Sequence, residues 1–155
     1  MIIVTLYNET VNKYQSYECK VIGADCRADV MVLRIFENYA FVNLDTNLGL
    51  SFGNSRSMLP GDDCYIIGNP NGVDVLSISH GNIRDPKHLN AQNVETMFVS
   101  APSLGGNSGG PIIDRSGNVI GLLTFAYTEG HSMGGGLSQF MMEAIIKKII
   151  TYGRT

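Results

Sequence analysis

The sequence predicts an all-β fold. Eighteen glycines and five prolines interrupt short runs rich in Val, Ile, Tyr and Phe, a pattern that favours many strands joined by tight turns over a helical bundle. At 155 residues and 44% hydrophobic content the chain fits one globular domain, with core enough to fold without metal or disulfide staples.

Strands are expected at 2–7, 17–22, 29–36, 49–52, 63–68 and 73–83, then at 95–100, 111–114, 119–126 and 135–138. The sharpest breaks are Pro60-Gly61 and Asn69-Pro70-Asn71-Gly72, where proline fixes one backbone angle and glycine can take the positive one. Arg115-Ser116-Gly117-Asn118 reads as a hairpin turn. From Ser138 as N-cap, Met141/Met142, Ile145/Ile146 and Ile149/Ile150 repeat every four residues, which predicts a helix that ends near Gly153. Its apolar stripe suits packing on its own barrel; a membrane surface or a partner is the alternative. No repeat or linker divides the chain.

A formal charge of -3 gives no basic face for phosphate, so nucleic acid is not an expected partner. The opening MIIVTLYNET has no basic leader or cleavage site, and no apolar run reaches the roughly 20 residues a bilayer needs. A soluble chain is expected; its compartment is unassigned, leaning towards the cytoplasm. Cys19, Cys26 and Cys64 are odd in number and lack metal-site spacing, so reduced thiols are expected and no metal or cofactor is implied.

Chemistry concentrates in Gly105-Gly106-Asn107-Ser108-Gly109-Gly110-Pro111. A nucleophilic serine needs its hydroxyl exposed on a sharp turn, with nearby N–H groups facing the oxygen that becomes negative during attack. Glycines permit such a turn. A glycine-rich hairpin with an incidental serine is the alternative for this motif taken alone.

G-N-S-G-G-P followed by Val119-Ile120-Gly121-Leu122-Leu123-Thr124 resembles the nucleophile region of trypsin-like peptidases, particularly the bacterial HtrA/Deg-like group. The resemblance continues through Leu50 to Ser55, Leu59-Pro60-Gly61-Asp62 and Ile66 to Pro70, and upstream through Cys19 to Asp25 and Ala28 to Ile35. It implies a two-barrel, chymotrypsin-like fold with an incomplete first barrel (1–58), a second barrel (59–137) and a C-terminal helix (138–153). It implies Ser108 as nucleophile, Gly106 and Ser108 as oxyanion donors, and Asp29 as the triad carboxylate, whose alternative is an ordinary turn aspartate.

The family's order is His, Asp, Ser, yet no histidine precedes Asp29, so the opening of the first barrel is expected to be missing. His80, in a second-barrel strand, His88, in a turn after Asp85-Pro86-Lys87, and His131, in a glycine-rich loop, are poor substitutes. By the family pattern Pro102 forms the base of the primary pocket, Thr124-Phe125-Ala126 pairs with substrate backbone, and Gly135-Gly136 forms the other wall. With no acidic base to the pocket, small or aliphatic residues are expected before the scissile bond.

Two functions follow: an endopeptidase acting on peptides or proteins through Ser108 and nearly inactive without a supplied histidine, or a relative that keeps the cleft for binding or assembly. An unrelated β-sandwich explains none of the ordered matches. An open first barrel further implies a homo-oligomer or larger assembly that covers its edges.

Overall fold

The computed structural model describes residues 2–8, 12–36, 49–72, 76–127 and 133–152. Alternating apolar residues build two sheets in succession. The first three strands, β1 (Ile2–Asn8), β2 (Lys13–Asp25) and β3 (Val30–Ile35), pair antiparallel in the order β1-β2-β3. Register places Ile2 opposite Cys19 and Val4 opposite Tyr17, while Ile35 faces Cys19 and Leu33 faces Val21. The period of two puts these residues on one face. Tyr17 and Cys19 are buried there, whereas Val21 is exposed. Among the described residues the sheet is open, with β1 and β3 as its edges.

The remaining strands close into a barrel: β4 (Asp63–Gly68), β5 (Ser77–Leu89), β6 (Glu95–Val99), β7 (Pro111–Ile113), β8 (Val119–Tyr127) and β9 (Met133–Ser138), in spatial order β4-β5-β6-β9-β8-β7. Closure removes the edges. Its interior is filled by every second residue, including Cys64 and Ile66 of β4, Met97 and Val99 of β6, Ile112 of β7 and Ile120 of β8, all fully buried. A fully buried Ile or Met contributes about 1.5–3 kcal/mol relative to an exposed one. This interior anchors the loops at the rim.

Three expectations need correction. The segment 49–52 is not a strand; Phe52 makes one parallel bridge to Val119, with Val119 N–H on the Ser51 carbonyl and Gly53 N–H on the Val119 carbonyl. β5 runs on to Leu89, so His88 lies in a strand and not in a turn. The register shifts twice between Ile83 and His88, which lets the strand absorb Pro86. At 69–72 the positive angle falls on Asn71 (φ 58°), whereas Gly61 takes it in the Leu59–Asp62 turn (φ 97°).

Helix α1 (Gln139–Tyr152) packs on both sheets, with Met142 and Ile145 against Val119, Leu137 and Ala28. The stripe therefore serves the chain's own core. Its free amides are capped: Ser138 Oγ accepts from Met141 N at 3.4 Å, and Ser55 Oγ, from the turn between the sheets, accepts from Phe140 N at 3.2 Å. Glu143 pairs with Lys147 at 2.8 Å, and that hydrogen bond holds its carboxyl below the ordinary range. No described helix is long and apolar enough to cross a membrane.

Candidate active site

The glycine-rich segment forms a rim loop between β6 and β7. Asn107 N–H donates to the Leu104 carbonyl at 3.1 Å and Gly110 N–H to the Asn107 carbonyl at 3.0 Å. The loop is sewn to β8 by Gly109 N–H on the Leu123 carbonyl (2.7 Å) and Leu123 N–H on the Gly110 carbonyl (2.9 Å). Ser108 sits at the exposed crest. Among the described residues, the amides of Gly106 and Ser108 donate to no protein acceptor, although their neighbours at 107, 109 and 110 all do. Those two donors are the pair that an oxyanion would need.

The turn requires its glycines at two points. Gly106 has φ 99°, and a β-carbon there would run into the Asn69 carbonyl, as one on Gly110 would run into the Ile67 carbonyl. Between them Asn107 is buried, its side-chain oxygen without a hydrogen-bond partner, pressed against the end of β4 where only glycine fits at 68. The loop thus rests directly on the 68–71 turn. A cavity of about 850 Å³ opens beside it, lined by Gly106, Gly110, Asn69 and Leu76 from the barrel and by Thr5 and Tyr14 from the first sheet.

Asp29 ends the turn that joins β2 to β3, with φ 54°. Asp25 organises that turn, its Oδ1 accepting from Arg27 N at 3.0 Å and Ala28 N at 3.2 Å. The buried Ala28 tucks under α1, and Asp29 itself is exposed. Among the described residues its carboxylate has no hydrogen-bond or ion-pair partner, Ser108 included. His80 is engaged on the barrel's outer wall, its Nε2 2.9 Å from Asp63 Oδ1 and its ring stacked on Tyr65. His88 lies edge-on to Phe98 with Nδ1 3.6 Å from Asp85. His131 falls outside the described residues, as does Gly153.

The other expected contacts divide. β7 pairs with β8 only as far as Leu122, so Thr124-Phe125-Ala126 runs on past that neighbour with β9 on its other side. The register shifts between Leu123 and Phe125, which makes Thr124 a bulge. Pro102 is exposed, while its neighbour Ser103 is buried and donates its hydroxyl to the Ala101 carbonyl at 3.1 Å. A side chain at Gly135 would enter the Phe125 ring, and one at Gly136 would strike the Leu122 carbonyl. Gly134, not singled out from sequence, is the glycine whose missing side chain is replaced by the buried Ser103 side chain, which a β-carbon there would strike. Three consecutive glycines mark a close approach, and register decides which of them meets the loop.

Cys64 is no rival nucleophile, since burial, aided by the charge of Asp63, pushes its thiol up to about 12. Among the described residues no group of acids, cysteines and histidines could hold a metal ion.

A six-stranded barrel carrying an exposed serine on a glycine loop, beside two unengaged amides, defines a serine-peptidase-type domain. The chain belongs to the trypsin-like peptidase family: residues 3–122 match the Trypsin-like peptidase domain. It is 29% identical over 152 residues to a probable periplasmic serine endoprotease, DegP-like, of Chlamydia muridarum, covering 94% of this chain and 29% of that one. It is also 29% identical over 147 residues to Protease Do-like 5, chloroplastic, of Arabidopsis thaliana, covering 89% and 44% respectively. The chain therefore spans less than half of these relatives. Among solved structures, the HtrA-type protease AlgW with decapeptide superposes with a TM-score of 0.77 at 26% identity, over 90% of this chain and 42% of that one. The domain is of the HtrA type.

Proposed function

We propose that this domain hydrolyses peptide bonds through an acyl-enzyme on Ser108. The observation that carries the reading is the pair of unengaged amides, Gly106 and Ser108, flanking an exposed hydroxyl. Ser108 Oγ attacks the scissile carbonyl carbon, its proton passing to an imidazole, and the carbonyl oxygen takes the electron pair and bonds to the two amides. The carbonyl re-forms as the C–N bond breaks and the amine leaves with that proton. Water then repeats the sequence in reverse and frees the acid.

The imidazole is assigned to a segment outside residues 1–155 or to a second chain, with Asp29 orienting it, because the family's order is His, Asp, Ser and no histidine precedes Asp29, while His80 and His88 are committed to the outer wall. Without a base the hydroxyl is a weak nucleophile, and loss of one triad member leaves about 10³ to 10⁴-fold acceleration over water. These residues alone are therefore expected to be nearly inactive. Substrate backbone pairs along Thr124–Ala126, and the side chain before the scissile bond enters between Pro102 and Gly135-Gly136. The pocket has no acidic group, so small and aliphatic side chains are favoured. The decapeptide held by AlgW supports a peptide ligand. Self-association through the open sheet of β1 to β3 completes the proposal.

A second reading, a cleft kept for binding without catalysis, is favoured by the exposed, unpartnered Asp29 carboxylate. A peptide library offered to the chain joined to a histidine-bearing family segment separates the two. Cleavage after Ala, Val or Leu, lost in Ser108→Ala, supports the peptidase; cleavage after Lys or Arg contradicts the pocket, and binding without cleavage favours the second reading.

A further inference from the structure

On the peptidase reading, which assigns Thr124–Ala126 to substrate backbone, we propose that Phe98, on β6, is a positioning residue that holds this stretch in place through the ring of Phe125. Among the described residues, β7 and the loop beside it pair with β8 no further than Leu123. Thr124 is then a bulge, and pairing with β9 resumes at Phe125, opposite Gly135. The stretch offered to substrate is thus held along one edge only, directly after a point where the ladder is disrupted.

A row of side chains reinforces that edge. Register sets Phe98 and Phe125 on either side of Gly135, in line across β6, β9 and β8. Paired residues share a face, and because Met97 and Val99 fill the barrel interior, this row lies on the outer wall. Two strand spacings, about 10 Å, separate its outer members, too far for short side chains to meet. Gly135 leaves the space between them open, and the Phe125 ring lies over it, where a β-carbon at 135 would strike Cζ and Cε2. There the two rings meet with centroids 5.2 Å apart and planes at 65°, the edge-to-face arrangement that aromatic quadrupoles favour. Phe98 is itself held from β5, where the His88 ring stands at 86° to it with centroids 4.5 Å apart.

Phe98 belongs to neither the rim loop nor β8, so its influence on a bound peptide passes through Phe125. Without the Phe98 ring, the Phe125 ring has an open side above Gly135 and can leave its seat, and the strand behind it keeps only its pairing with β9. An edge-to-face contact of this kind biases the seated arrangement by about two- to tenfold.

The test needs no turnover. Acetyl-Ala-Ala-Ala-Leu carboxylate and the same peptide with its internal amides N-methylated are titrated into the chain and followed by amide NMR. The first can donate to the carbonyls of Thr124–Ala126; the second cannot. The wild-type chain is expected to prefer the first by about tenfold. In Phe98→Ala that preference falls to about threefold or less, whereas Phe98→Tyr, which keeps the ring, retains it. Urea midpoints recorded alongside separate positioning from stability: a lower midpoint with an unchanged preference in Phe98→Ala makes Phe98 a merely structural residue and overturns the proposal. Should Phe98→Ala not fold, Phe98→Leu takes its place, and a preference equal to that of Phe98→Tyr overturns it. A wild-type chain with no preference between the peptides instead overturns the strand-pairing reading on which the proposal rests.

Discussion

Substituting alanine at each of three loop glycines gives three different outcomes. At Gly105 a β-carbon has open space and φ lies outside the left-handed region, so Gly105→Ala is expected to be neutral or stabilising by up to about 1 kcal/mol. Gly109 also has open space but φ 83°, and there alanine bears only the conformational cost, about 1–2 kcal/mol. Gly106 adds a collision to the same cost: φ is 99° and the new carbon meets the Asn69 carbonyl, a backbone atom that cannot rotate aside. Overpacking of this kind costs about 1–3 kcal/mol, so Gly106→Ala should lose roughly 3 kcal/mol in all. With a urea dependence of about 2 kcal/mol per M, the midpoint falls by about 0.5–1 M at 109 and about 1.5 M at 106. Urea unfolding followed by circular dichroism suits a chain without tryptophan. Equal losses at 105 and 106, or a wild-type midpoint for Gly106→Ala, would refute the described loop geometry.

Other outcomes follow from the core and the pocket. The Cys64 thiol titrates near 12 in the folded chain against an ordinary 9.0, so the folded state holds its proton more tightly. That contribution is complete below pH 9 and declines between pH 9 and 12 by about 1.4 kcal/mol per unit. Urea midpoints measured at pH 8, 9.5 and 10.5 should fall more steeply for the wild-type chain than for Cys64→Ala. Gly134→Val drives a β-carbon into the buried Ser103 side chain and should cost about 1–3 kcal/mol of stability, read as a lower urea midpoint than that of the wild-type chain. An unchanged midpoint there would refute the contact between Gly134 and Ser103.

Much of this architecture was legible because its signals are local. The alternation of β4, the Pro60-Gly61 turn, the 114–118 hairpin and the Ser138 cap each depend on a few adjacent residues, and each lies where expected. The failures are tertiary. Pro86 argued for a turn at His88, but paired register shifts with β6 carry the strand through it. Leu50 to Phe52 had a strand's composition yet found only a single bridge, to Val119. Within the site, the glycine motif marked the rim loop, while the meeting of Gly134 with Ser103 and of Asn71 with Gly105 joins segments about thirty residues apart, and only register brings such pairs together. The expected wall residues Gly135 and Gly136 flank Gly134 on that same strand.

Under the proposed function Ser108 is a nucleophile on a preformed turn that awaits an imidazole from outside residues 1–155. Labelling with a fluorophosphonate probe, mapped to the residue by mass spectrometry, tests it most directly. A single adduct on Ser108 is expected when a histidine-bearing family segment is joined to the chain, with little adduct on the chain alone and none in Ser108→Ala. Adducts elsewhere, or labelling that survives Ser108→Ala, would contradict it.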